Sequence, residues 1–327
     1  MAERSAFVTG GTGFLGRHLL EQLVAQGWRV TALHRPTSEL STLAALPVRP
    51  AAGDLLDAAS LRRALPAGVD AVFHLAADTS MWSRHAARQT RVNVEGTRNL
   101  VAAALAGEAR RLVQVSSWSA YGIGQGAISE EVEQQGDRSW INYERSKLAA
   151  EEVVRAGAAQ GLDAVIVNPA HIMGRYDRHG WAQLIVAAHR RWLPGVPPGA
   201  GTFCRAEAVA AALIAAAERG RRGQNYLLSG ADASFVEVFR VINQVTGSRV
   251  PLRPLPAWLF RLSAQAAVAL AALTGREPGA TPEGVAIAIA RARVISRKAE
   301  RELGYRPAAL ATMIEDSYRW LKSQGIV

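Results

Sequence analysis

Short apolar, β-branched runs alternate with longer stretches of helical period through the first half of the chain. The runs are "AFVTG", "WRVTAL", "AVFHLAA", "RLVQVSS" and "DAVIVNP", and between them lie the helical stretches 14–26, 84–106 and 141–160. Leu15, Leu19 and Leu23 recur at i, i+4 and i+8, which gives the first helix a single apolar stripe. Continuous apolar strands covered by such helices are the pattern of βαβ units, where a parallel sheet is buried on both faces. The expected fold class is therefore α/β, with a doubly wound parallel sheet.

After Pro169 the rhythm breaks. "HIMGRYDRHG" and "LPGVPPGAGTF" are rich in Gly, Pro and charge and read as irregular loops around one helix near 181–192. A strand and helix return in "NYLLSGADASFVEVFRVINQVTG". Residues 1–168 are thus expected to form the first domain, with returning elements near 203–245, and residues 169–327 mainly a smaller, interleaved C-terminal lobe. Residues 257–274, "AWLFRLSAQAAVALAALT", are unusually apolar. They fall short of a spanning helix and are interrupted by Arg261 and Gln265, so a buried or lid helix of the second lobe is expected. Membrane-surface contact and an apolar substrate wall are the alternatives.

Composition narrows the function classes. Hydrophobic residues make up 49% and charged residues 20% of 327, which suits a folded chain with a sizeable core. The formal charge of +10 calls for an anionic partner. Its basic residues are scattered in pairs such as Arg110–Arg111, Arg190–Arg191 and Arg221–Arg222, without the interleaved aromatics of single-strand binders, so nucleic-acid binding is not expected. Cys204 is the lone cysteine, which rules out an intramolecular disulfide and a Cys-type zinc site, and the histidines lack metal-ligand spacing; no metal is expected. "MAERSAFVTG" shows no secretory pattern, and cytoplasmic residence is expected.

"SAFVTGGTGFLGRHLLEQL" places a strand, a glycine-rich turn and a helix in immediate succession. Gly10, Gly13 and Gly16 allow a tight turn, close approach of the backbone to a pyrophosphate, and close helix packing, while the helix N-terminus offers free N–H groups. The first domain is accordingly of Rossmann type, for NAD or NADP. At the end of the second strand Arg35 stands where an NAD-selective site would carry an acid, and it suits a 2′-phosphate. NADP(H) is favoured, with NAD(H) as the alternative.

Tyr143 and Lys147 lie four apart on an expected helix and project from one face. Lysine is scarce here, with only Lys298 and Lys322 besides, while arginine is abundant, so Lys147 marks a place where a compact ammonium matters. Acid/base work near neutrality needs the tyrosine pKa lowered by roughly three pH units, about 4 kcal/mol, which a nearby ammonium and a cationic nicotinamide can supply. "LVQVSSWSAYG" ends a strand in serines that could present a hydroxyl to a substrate oxygen.

Together these segments resemble the extended short-chain dehydrogenase/reductases. "TGGTGFLG" is similar to that family's TGxxGxxG fingerprint, "GDLLD" to its acidic adenine contact, "HLAA" to its fourth-strand signature, "NVEGT" to its asparagine segment and "YERSK" to its active-site helix. The terminal "LGYRPAALATMIEDSYRWL" also resembles the family's closing segment, so the likeness covers most of the chain. It implies Tyr143 as acid/base, Lys147 holding the nicotinamide ribose, Ser117 in preference to Ser116 on the substrate oxygen, and Asn93 as a structural and relay residue. Cofactor contacts are implied for Gly10, Thr12, Gly13, Phe14, Leu15 and Gly16; for Asp54 and Leu55; for Leu75, Ala76 and Ala77; and for Pro169, Ala170 and His171 along the nicotinamide. A homodimer through helices of the first domain is the family expectation.

Within the family, "LHRPTS" and "TSMWSRHAARQTRVNVEGTRNLV" resemble the dihydroflavonol-reductase-like and 3β-hydroxysteroid-dehydrogenase-like branch. Where sugar-nucleotide enzymes carry Arg-Asp-Phe-x-Tyr-Val, this chain reads "GTFCRAEAVAAA". The expected activity is hydride transfer between NADP(H) and a secondary alcohol or ketone of a mostly apolar small molecule. A nucleotide-sugar epimerase or dehydratase and a non-catalytic dinucleotide sensor are the alternatives.

Overall fold

The computed structural model describes residues 4–124, 126–190 and 193–327. Met1–Glu3, Gln125, Arg191 and Trp192 lie outside the described residues, and with them one half of the Arg190–Arg191 pair, the first residues of the N-terminal run and the end of the helix expected near 181–192.

Among the described residues twelve strands follow in chain order: β1 (Ser5–Thr9), β2 (Arg29–His34), β3 (Arg49–Ala52), β4 (Ala71–His74), β5 (Leu112–Val115), β6 (Ala127–Ile128), β7 (Ala164–Pro169), β8 (His171–Met173), β9 (Ala200–Arg205), β10 (Asn225–Leu228), β11 (Ala231–Ser234) and β12 (Arg293–Val294). Seven of them form one sheet in the order β10-β7-β5-β4-β1-β2-β3, all pairs parallel. Chain order reverses between β1 and β4, which places the topological switch point, and the crevice it opens, at the C-terminal ends of those strands. The glycine turn, Arg35, Leu75–Ala77, Ser116–Ser117 and Pro169–His171 all leave the sheet at that edge.

The strands are apolar because helices cover both faces. Leu19, Leu20 and Leu23 of the Phe14–Ala25 helix are buried with Val8, Val30, Val113 and Val165 on one face. There the Ala206–Arg219 helix packs beside the first, its alanines permitting close approach. On the other face Leu61, Leu100, Val101 and Val154 join Phe7, Val72 and Ile166. β10 is contributed from beyond residue 169 and closes the sheet's edge beside β7, so the second half of the chain re-enters the first.

The second lobe holds a three-stranded sheet, β11-β9-β8, and its own core of Phe203, Phe235, Phe239, Ile185 and Ile314. The Ala257–Thr274 helix departs from expectation. Only Ala264 and Ala271 in it are buried, while Trp258, Leu262, Leu270 and Leu273 are 60%, 56%, 63% and 86% exposed. It packs along one face on the Pro282–Ile289 helix and is, by length and composition, long and apolar enough to cross a membrane. Composition foretold its apolarity, but burial is set by tertiary packing, and the Pro282–Ile289 helix covers only its narrow small-residue face.

Candidate functional site

The glycine turn is built for close backbone approach. Gly10 has φ +74, which a side chain would strain, and a Cβ there would meet the Ala76 backbone nitrogen at 2.7 Å. A Cβ on Gly16 would stand 2.0 Å from the Gly10 carbonyl oxygen. Gly13 donates to that same carbonyl at 3.0 Å and opens the helix without a side-chain cap, so the N–H groups of the first turn at Phe14, Leu15 and Gly16 are left for a ligand. These features fit a dinucleotide pyrophosphate. Thr12, Phe14 and Leu15 are half-buried around the turn.

Arg35 is exposed at the end of β2, and the Gly53 amide donates to the adjacent His34 carbonyl at 2.9 Å, which puts Arg35 and half-buried Asp54 at neighbouring strand ends. Asp54 accepts from the Leu56 amide at 2.8 Å and donates from its own amide to Ser60. Buried Leu55 receives Asn99 on its carbonyl. Leu75, Ala76 and Ala77 continue β4 into the crevice; Ala76 donates to the Thr9 hydroxyl at 3.2 Å. Beneath them Thr9, His74 and Thr97 form a buried chain of hydrogen bonds at 2.7 and 3.0 Å. Burial, with the Lys147 charge nearby, pushes His74 down to about 3, so its imidazole is neutral.

Tyr143 and Lys147 sit in the Asn142–Ala159 helix. Lys147 is buried and donates from Nζ to the Val115 carbonyl at the end of β5, 2.8 Å away. Burial pushes its ammonium down to about 8, opposed by Glu151 one turn on. That carboxylate is itself fully buried and held by Gln134, Arg155, Asn168 and Asn225. Tyr143 is half-buried, yet its hydroxyl lies deep enough that burial raises its pKa; the neighbouring Ser117 hydroxyl opposes the rise. In the protein's own field burial, with the Glu144 carboxylate adding to it, holds the tyrosine above its ordinary value; the lowering expected of an ammonium and a cationic nicotinamide together belongs to the cofactor-bound site.

Ser117 caps the short turn Trp118–Tyr121, accepting from the Ser119 amide at 3.2 Å and from the Ser119 hydroxyl at 2.9 Å. Ser116 lines the same cleft with its hydroxyl unpartnered among the described residues. Asn93 lies in a π-helical turn, Arg91–Glu95, where wider winding turns the side chain inward. Its amide accepts from the Asp78 N–H at 2.7 Å and donates to the Asp78 carbonyl and the Ser146 hydroxyl, both at 3.0 Å. Asn93 thus ties the segment after β4 to the helix that carries Tyr143 and Lys147.

Tyr143 and the serines open on a cleft of about 210 Å³, with Lys147 and Asn93 behind them. Ser116, Ser117, Ser119 and Tyr143 supply its polar side, Pro169, Ala170 and His171 a second, and Met81, Trp118, Ile172, Trp181 and Ile287 apolar walls. Burial pushes His171 down to about 3, and its neutral ring packs against Trp118, Trp181 and Phe203 at centroid distances of 5.4, 4.4 and 5.4 Å. Gly201 leaves room for that ring, since a Cβ there would lie 2.7 Å from it. Met81, Trp181 and Ile287 went unrecognised in the sequence because they come from three separate segments and share no spacing. Among the described residues no cluster of His, Cys, Asp and Glu could hold a metal ion.

Comparison with known proteins places this geometry among relatives. The family model described as the NAD dependent epimerase/dehydratase family matches residues 6–229. A protein of Synechocystis sp. whose name refers to dihydroflavonol 4-reductase is 32% identical over 329 residues, covering 98% of this chain and 95% of its own length. The 4-hydroxy-2-methyl-3-oxo-4-farnesyl-3,4-dihydroquinoline-1-oxide ketoreductase of Stigmatella aurantiaca is 32% identical over 306 residues, 91% of each chain. The crystal structure of gox2253 superposes with a TM-score of 0.85 at 31% identity, covering 99% of this chain and 100% of that one.

Proposed function

We propose that this chain, which belongs to the NAD-dependent epimerase/dehydratase family and is an NAD(P)-dependent enzyme of the extended short-chain dehydrogenase/reductase type, transfers hydride between NADP(H) and a secondary alcohol or ketone of a mostly apolar small molecule. The observation that carries this reading is the lining of the cleft. No carboxylate, ammonium or guanidinium stands among its described residues, and His171 is neutral. A nucleotide sugar brings a diphosphate that calls for cationic donors, whereas two indoles, a thioether and two isoleucines favour an apolar body. The farnesyl ketoreductase relative is consistent with the same substrate class.

Nicotinamide, when bound, supplies or accepts the hydride. Tyr143, kept protonated by burial, donates its proton to the carbonyl oxygen, and the Ser117 hydroxyl hydrogen-bonds the same oxygen. Lys147 holds the ribose hydroxyls of the cofactor and adds positive charge beside the tyrosine as the proton leaves. Exposed Arg35 favours the 2′-phosphate of NADP(H). The groove between the Gly96–Ala106 and Asn142–Ala159 helices, lined by Val94, Val101, Leu105 and Val153, is the surface we assign to a symmetric dimer.

The test is net nicotinamide oxidation against two pools. With lipophilic ketones, NADPH is consumed, and faster than NADH; with nucleotide sugars there is neither consumption nor conversion. A nucleotide sugar converted at constant NADPH absorbance would replace this reading with an epimerase or dehydratase.

A further inference from the structure

We propose that the Ala257–Thr274 helix docks this protein on the surface of an anionic lipid bilayer, lying in the interface with its outer face inserted. At about 100° per residue, Trp258, Leu259, Leu262, Leu270 and Leu273 fall within one arc of about 120°. All five are exposed. The two buried residues, Ala264 and Ala271, face the opposite way, onto the Pro282–Ile289 helix. The helix is thus apolar twice over: one narrow small-residue face seats it on the protein, and one broad face of large side chains has no cover among the described residues.

Charge selects the occupant. Arg249, Arg253, Arg261 and Arg276 are all exposed, and no Asp or Glu occurs from residue 249 through residue 276. The next acid, Glu277, is turned back onto the protein, accepting from the Ser80 hydroxyl at 2.6 Å and lying 3.5 Å from the His85 ring. An apolar stripe on a segment that carries four exposed arginines and no acid, with a tryptophan near one end, matches anionic headgroups above acyl chains; Arg253 is exposed while its Nε donates to the Pro194 carbonyl at 3.1 Å. A self-associating patch would place the same arginines against their own copies. Lying flat preserves the seating of Ala264 and Ala271, whereas spanning would strip that face from the protein and draw Arg261 and Gln265 into hydrocarbon. The Pro282–Ile289 helix beneath also presents Ile287 to the cleft, so docking brings the cleft's apolar wall close to the lipid.

The docking does not depend on the hydride chemistry, and its test reads binding alone. The full chain is floated with vesicles of phosphatidylcholine containing about 30 mol% phosphatidylserine, and with pure phosphatidylcholine. The expected result is binding to the anionic vesicles that weakens with added salt, and that falls about tenfold or more in a Leu270→Glu/Leu273→Glu variant with NADPH affinity unchanged. Wild-type protein that stays unbound at low salt, or a variant that floats as well as wild type, would overturn the proposal. So would light scattering showing that the double variant dissociates an oligomer without altering flotation, because a second copy would then cover the helix.

Discussion

Burial moves the two ionisable members of the site in opposite directions, the Tyr143 hydroxyl up and the Lys147 ammonium down to about 8. A protonated tyrosine is a ready proton donor, so Tyr143→Phe should lower kcat by about 10²- to 10⁴-fold while NADPH binds as before. Turnover at the wild-type rate in that variant would remove the assignment. The lysine makes a second demand. Because its pKa in the folded protein lies below the ordinary value of 10.5, it is charged below about pH 8 and increasingly neutral above it, losing the form that holds the ribose. The Kd for NADPH should be flat from pH 6 to pH 7.5 and rise by up to about tenfold per pH unit above 8. A Kd unchanged to pH 10 would place the lysine's role elsewhere. The Tyr143–Lys147 pair and the serines ending β5 could be singled out from the sequence because their spacing is local, one helical turn and one strand end, and the family resemblance chose Ser117 among the serines. The cleft walls could not, since Met81, Trp181 and Ile287 meet only through tertiary packing.

Among the elements, β1, the glycine turn and the Phe14–Ala25 helix act as a unit whose geometry depends on the absence of side chains. The 2.0 Å approach at Gly16 leaves no relaxed position for a methyl group. Gly16→Ala should cost on the order of 3 kcal/mol in denaturant unfolding and abolish NADPH binding; wild-type stability with normal binding would contradict this account of the turn. Strand and helix succession was readable wherever burial on both faces produced apolar runs. It failed at β3, "RPAA", an edge strand carrying Pro50 and exposed at all but Ala51, where no apolar run is required. The stretch 84–106 read as one helix but holds a 3-10 turn, two α-helical segments and the π turn at Asn93, because periodicity does not register one widened turn.

At the scale of the whole molecule, the chain crosses between lobes. β10 completes the first domain's sheet from residues 225–228, while β8 and β9 carry His171 and Phe203 into the wall facing the crevice. The sheet edge that carries the glycine turn and the wall of the apolar cleft are therefore joined by continuous backbone at Pro169–His171, which in the proposed reaction would set the cofactor against the substrate. The break in rhythm after Pro169 was visible in the sequence; how tightly the second half re-enters the first was not, because strand pairing between residues 59 apart leaves no local trace. The central claim is hydride transfer to a ketone carbon under protonation by Tyr143. The most direct measurement uses NADPH deuterated at nicotinamide C4 with a lipophilic ketone pool, followed by mass spectrometry of the products. The account predicts deuterium on the carbinol carbon of a product, at one atom per NADPH oxidised, and its formation slowed at least about 100-fold in the Tyr143→Phe variant. A substrate converted while the label and the reduced cofactor both remain unchanged would contradict it.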